Sequence, residues 1–166
     1  EYKTESWEFA TDAQGQFFLR YRQGNQWKDD KVEIFCNRSA APRLYLWLVH
    51  DVRRSTGPIN AQHVVDLASK GLSVYWQLDA LRPDGFADIR NVELQPYEII
   101  DPPKVTEHGN IQLTIDLSPR LLDVITGARL FQIVTTAPDT NGVTGFNLIS
   151  INLDRDKLSG IVRSCR

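Results

Sequence analysis

A mainly β fold, a single antiparallel β-sandwich with two short helices, is what this sequence predicts. Three observations carry that prediction. Short segments alternate apolar with polar residues, turn residues separate them at intervals typical of a sandwich, and two cysteines fall on core-facing positions.

The first alternating segment is Ser6-Trp-Glu-Phe-Ala-Thr, with Trp7 and Phe9 on one face. Gln16-Phe-Phe-Leu-Arg-Tyr-Arg follows after the turn Asp12-Ala-Gln-Gly, so the two are expected to pair as a hairpin. Gln23 to Asp30 form a polar turn. Lys31-Val-Glu-Ile-Phe-Cys then puts Val32, Ile34 and Cys36 on one face, and Asn37-Arg-Ser-Ala-Ala-Pro is the next turn. Arg43-Leu-Tyr-Leu-Trp-Leu-Val-His is apolar on both faces, with Leu44, Leu46 and Leu48 on one and Tyr45, Trp47 and Val49 on the other. Such a strand belongs in the middle of a sheet.

Residues 51 to 70 give no single reading: Arg53-Arg-Ser-Thr-Gly-Pro-Ile-Asn is loop-like, whereas Ala61-Gln-His-Val-Val-Asp-Leu-Ala reads as strand or as a helical turn. After Gly71, Leu72, Val74, Trp76 and Leu78 alternate with Ser73, Tyr75 and Gln77 in a half-buried strand, and Arg82-Pro-Asp-Gly turns the chain into Phe86 to Leu94. Pro96, Pro102 and Pro103 make the following stretch an edge strand or an extended connection. Ile111, Leu113 and Ile115 alternate once more. Ser118 as N-cap, Pro119 at the first helical position and Gly127 past the end bracket a helix of about two turns. Arg129 to Thr136 and Thr144 to Ile151 read as a closing hairpin. Asp154 caps a last helix in which Leu158, Ile161, Val162 and Cys165 share a face. There is no internal repeat, low-complexity tract or long linker, so residues 1–166 are expected to form one domain.

Cys36 ends an early strand and Cys165 ends the last helix, both on inward faces. In a cytosolic chain they would be two unrelated buried thiols; on these positions they are expected to form a disulfide that ties the C-terminal helix across the sandwich and marks an exported protein. Closing a loop of about 130 residues contributes on the order of 4–5 kcal/mol in the chain-entropy model.

The balance of 19 Lys+Arg against 21 Asp+Glu leaves a net charge of −2 with charges scattered along the chain, which argues against nucleic acid or an anionic membrane as partner. Apolar runs such as Leu44 to Val49 are too short to span a bilayer, and residues 1–10 lack the basic start and apolar centre of a signal peptide, so the expectation is export with the signal already removed.

The order of these segments resembles a group of small exported proteobacterial domains found beside type VI secretion systems, the TagO-like family. The resemblance is carried by Val32-Glu-Ile-Phe-Cys36, Arg43-Leu-Tyr-Leu-Trp47, Trp76, Leu121-Leu122, Arg129-Leu-Phe-Gln-Ile133, Gly145-Phe-Asn-Leu148 and Leu158 to Cys165, and spans about residues 31 to 165. The chain is also similar to the exported invasion-associated locus B proteins, which place a β-sandwich core before a short helix and a Phe-x-Leu strand. Gly57 to Lys70 is longer here than in either pattern. Both resemblances imply the periplasm or cell surface, and neither supplies catalytic residues.

The chain offers no local signature of chemistry. His50, His63 and His108 show none of the short spacings of metal motifs. His50-Asp51 lacks the Gly-x-Ser-x-Gly elbow that would accompany a nucleophile, and an oxidised Cys165 is no nucleophile either. Acidic pairs such as Asp29-Asp30, or Asp84 with Asp88, belong to polar turns, as does Asn37-Arg38-Ser39, and glycine-rich phosphate loops are missing. No catalytic, metal or cofactor residue is therefore assigned. Aromatic residues are the remaining functional signal: Trp47 and Trp76 are expected in the core, whereas Trp27, flanked by Gln26, Lys28 and Asp29, is the better surface candidate. The candidate interaction surface is Trp27, Tyr75, His50, Arg53 and Arg54, provided that the fold brings them together. The expected function is a non-enzymatic periplasmic or secreted interaction module of the bacterial envelope, binding an envelope or host protein or a cell-wall glycan. The alternative is a cell-wall hydrolase inhibitor, with Asp51 to Asn60 as its protruding loop, or a hydrolase with acids or histidines clustered in a cleft. The sequence carries no signal for an oligomeric state.

Overall fold

Alternating strands bury one face each, and here those faces meet across two sheets. The computed structural model describes residues 4–24, 29–38, 41–51, 61–138, 142 and 145–165. Along the chain these form β1 (Thr4–Thr11), β2 (Phe17–Gly24), β3 (Asp29–Asn37), β4 (Arg43–His50), α1 (Ala61–Lys70), β5 (Leu72–Leu81), β6 (Ala87–Glu93), a 3₁₀ turn (Pro96–Glu98), β7 (Ile99–Val105), β8 (Ile111–Asp116), α2 (Pro119–Gly127), β9 (Ala128–Thr135), β10 (Asn147–Asn152) and α3 (Arg155–Ser164). The strands order as a six-stranded sheet, β1-β2-β3-β4-β8-β7, and a four-stranded sheet, β10-β9-β5-β6. Every pairing is antiparallel.

The register explains the core. Trp7, Tyr21, Val32, Leu48 and Leu113 stand in one row across five strands, and Leu19, Ile34, Leu46 and Ile115 in the next. From the other sheet come Val74, Ile133 and Ile149, then Trp76, Phe131 and Ile151. One cluster joins both sets to Leu121 and Ile125 of α2 and to Leu158 and Ile161 of α3. The predicted hairpins β1–β2 and β9–β10 form. The proline-rich segment becomes β7, an edge strand whose pairing with β8 is broken twice in register.

Three helices, not two, occur among the described residues. Ala61 to Lys70, which the sequence leaves open, is α1. Its β-branched Val64 and Val65 mimic a strand, yet Val64, Val65, Leu67 and Ala68 bury a helical stripe and Lys70 lies in the last turn. At the other end, Asp154 accepts the Lys157 N–H at 3.2 Å and starts α3 as its sequence predicts. Cys36 and Cys165 are joined, with Cα atoms 5.4 Å apart, so α3 is tied to the inner end of β3. Arg38 reinforces the tie by donating to the Ser164 carbonyl.

The two sheets also meet along an edge. The Trp7 indole N–H donates to the Asn152 carbonyl at 2.6 Å, and Lys157 donates to the Trp7 carbonyl, so β1, β10 and α3 share one seam. Among the described residues no helix is long and apolar enough to cross a membrane.

Candidate functional site

Pointing one side of each strand into the core sends its other side out, and on the six-stranded sheet that outward side is aromatic. Ala10, Phe18, Phe35, Tyr45 and Asp116 form one row across β1, β2, β3, β4 and β8. The adjacent row runs Glu8, Arg20, Glu33, Trp47 and Thr114. Phe35 and Tyr45 meet edge to face, with centroids 5.8 Å apart and planes at 80°. Arg20 pairs with Glu8 at 2.6 Å. Phe18, Phe35, Tyr45 and Trp47 are half-buried and stand apart from the core cluster and from the side chains packed on it. Trp47, expected in the core, therefore lies on the outer layer. Strand β4 is central in hydrogen bonding, between β3 and β8, but a two-layer sandwich encloses only one face of each sheet.

The aromatic row runs into a cleft of about 420 Å³ where the β1–β2 turn overhangs the sheet. Its walls include Asp12, Gln16, Phe17, Phe18, Glu33 and Phe35. The turn is held firmly. Asp12 Oδ1 accepts the N–H groups of Gln14 and Gln16, both at 2.9 Å, and Gly15 supplies the positive φ of 79° that closes it. The Gln16 amide donates across to the Cys36 carbonyl. Phe17 stands 59% exposed at the mouth. Ring faces with carboxylates and an amide at their margin suit contact with an amphipathic surface, apolar in the middle and polar at its rim.

No family model, curated protein or solved structure matches the chain. The functional reading rests on the geometry of these surfaces.

A second gathering of polar groups is buried. Glu98, at the end of the 3₁₀ turn, accepts from Ser118 Oγ at 2.6 Å, from Arg120 Nε at 3.0 Å and from the Gln95 N–H at 2.8 Å, and also pairs with Arg120 Nη2. Burial pushes its carboxyl up, but the hydrogen bonds from Arg120, Ser118 and Gln95 outweigh that and hold it below its ordinary value. Asp116 is shifted the other way: burial raises it, Arg43 at 3.2 Å opposes the rise, and the Glu98 charge adds to it. Ser118, read from sequence as a helix cap, makes no side-chain cap bond; its hydroxyl is spent on Glu98. The cluster welds the 3₁₀ turn to the start of α2.

Of the sequence-predicted surface residues, Trp27, Arg53 and Arg54 lie outside the described residues, as does all but the first residue, Asp51, of the loop Asp51 to Asn60 expected of an inhibitor. His50 is 8% exposed on the core side of β4. Its Nδ1 is 3.3 Å from Asp30 Oδ1, the oxygen that also accepts the Asp51 N–H at 2.8 Å. Tyr75 is half-buried on the outer side of the other sheet, in register with Asn91 and Gln132. His50 and Tyr75 thus belong to different sheets and do not converge. His108 is exposed in the turn between β7 and β8, beside Glu107. Among the described residues, no three His, Cys, Asp or Glu side chains are grouped so as to hold a metal ion. The residues that do converge, Phe18 and Phe35 with Tyr45 and Trp47, were legible in one respect: if Val32, Ile34 and Cys36 face inward, Glu33 and Phe35 must face out.

Proposed function

We propose that this protein is a non-enzymatic interaction module of the bacterial envelope, periplasmic or secreted, and that it binds its partner through the outer face of the six-stranded sheet. The observation that carries this reading is the row Phe18, Phe35, Tyr45, which with Trp47 forms an aromatic layer outside the core and leads into the cleft under the β1–β2 turn. Rigid rings give large contact area at little entropic cost, and a margin of Glu8, Arg20 and Glu33 supplies orientation. The disulfide fits a compartment where such bonds persist, and the resemblance to exported TagO-like domains points to the same place. The partner class is an envelope or host protein or a cell-wall glycan.

A photo-crosslinking amino acid at Trp47 tests the face, with the same group at Asn91 on the opposite sheet as control. Envelope extract and purified cell-wall fragments should give adducts from position 47 that are lost when Tyr45 is replaced by Ala. Equal labelling from both positions, or none from either, would sink the proposal.

A further inference from the structure

Each open sheet edge exposes unpaired backbone groups, and three of the four edges here are visibly managed. Strands β1 and β10 are stitched together through Trp7, Asn152 and Lys157. Strand β7 carries Pro102 and Pro103, breaks register twice against β8 and lies against α1. Strand β6 is less guarded: its pairing with β5 shifts register once, next to the turn, and its edge carries Asp88 and Arg90, charges of opposite sign. Ala87 to Glu93 contains no proline, and among the described residues its extensive contacts are with β5 alone. Its Ile89 is 59% exposed, with Phe86 at 70% and Leu81 at 66% on the same hairpin.

We propose that β6 pairs with β6 of a second copy of this chain, antiparallel and centred on Ile89, extending the four-stranded sheet across a two-fold axis. The register follows from charge. A two-fold pairing that keeps the core side of both sheets on the same side must set residues of the same face opposite each other. Centring on Ile89 puts Ile89 against Ile89 of the second copy, Asp88 against its Arg90, and Arg90 against its Asp88. Shifting to the adjacent permitted registers puts Asp88 against Asp88, or Arg90 against Arg90, and like charges directly opposite are destabilising. Within one copy Asp88 and Arg90 already lie 3.2 Å apart on one face, so the pair exchanges partners across the axis with little rearrangement. The same centring sets Phe86 against Val92, a side chain packed on the core, and covers part of the exposed ring. This assembly leaves the outer face of the six-stranded sheet open and is independent of the function proposed for it.

The test is a charge-swap series followed by sedimentation velocity across a concentration range. The parent protein should dimerise. Asp88→Arg alone and Arg90→Asp alone set like charges opposite in both pairs and should each weaken the dimer by about tenfold or more. The double swap Asp88→Arg/Arg90→Asp restores opposite charges and should recover the parent dimer. Mixing the two single variants should give a heterodimer stronger than either homodimer. Circular dichroism on every variant separates loss of pairing from loss of fold. A monomeric parent at all concentrations overturns the proposal, and so does a dimer that the folded single variants leave intact.

Discussion

Glu98 and Asp116 are electrostatic neighbours whose carboxyl groups are driven in opposite directions. Glu98 is surrounded by donors, while among the described residues Asp116 has one buried oxygen, Oδ1, without a hydrogen-bond partner, and Arg43 at the other.

Their opposite shifts give opposite pH dependences. A carboxyl held below its ordinary value contributes stability that is complete above 4.5 and is lost as pH falls through its lower folded value; that is Glu98. A carboxyl raised above 3.8 imposes a cost that is complete above its folded value and fades as pH falls toward 3.8; that is Asp116. Urea unfolding against pH should therefore show Asp116→Asn at least as stable as the parent at neutral pH, with a flatter profile just above 3.8. An unchanged profile would mean that Asp116 is not the source of that slope.

Glu98→Ala should cost about 2 kcal/mol at neutral pH, because it takes the acceptor from the buried Ser118 hydroxyl and the Gln95 N–H, while the partly exposed Arg120 keeps its bond to the Glu93 carbonyl. Ser118→Ala should cost less, about 1 kcal/mol, since Arg120 and Gln95 still satisfy the carboxylate. Denaturant midpoints for the two variants check the ranking.

Adjacent residues on β4 should separate packing from presentation. Leu48 is fully buried and Trp47 is half-buried on the outer layer, so Leu48→Ala should cost about 3 kcal/mol and Trp47→Ala about 1 kcal/mol or less. Thermal melts of the two would expose Trp47 as a core residue if the costs came out equal.

Breaking the disulfide with Cys36→Ala/Cys165→Ala should lower stability by about 4–5 kcal/mol in the chain-entropy model. Hydrogen exchange should rise first in α3, which then keeps the packing of Leu158 and Ile161 and the bonds through Lys157 and Arg38, while β3 and β4 stay protected. Faster exchange beginning in the six-stranded sheet would contradict that order.

Trp7→Phe keeps the ring in its row beside Tyr21 but removes the donor to Asn152, and should cost about 1–2 kcal/mol. The urea midpoint should fall with no change in slope.

Much of the fold was readable because its cues are local. Alternation in Val32, Ile34 and Cys36 identified an inward face, Pro96, Pro102 and Pro103 marked an edge strand or an extended connection, and Pro119 with Gly127 bracketed α2. Helix α1 was ambiguous because a buried pair of valines serves a strand and a helix equally well. The site was far less legible. Glu98 meets Ser118 and Arg120 across 20 and 22 residues, and nothing in the intervening chain signals the encounter. The aromatic row depends on strand register: Phe18, Phe35 and Tyr45 come from three strands and align because Cys36 is paired with Leu44 and Phe18 with Phe35. His50 looked available beside a polar loop, yet its parity with Leu46 and Leu48 turns it toward the core.

The seam between Trp7, Asn152 and Lys157 also sets an order of events. These bonds span 145 and 150 residues, and the disulfide spans 129, so the contacts that finish the first strand have the longest loops to close. Until α3 arrives, the inner rows of β1, β2 and β3 lack one of their covers. A chain in which α3 has not yet docked thus has an unclosed first sheet, and α3 with its disulfide acts as the clasp that closes it.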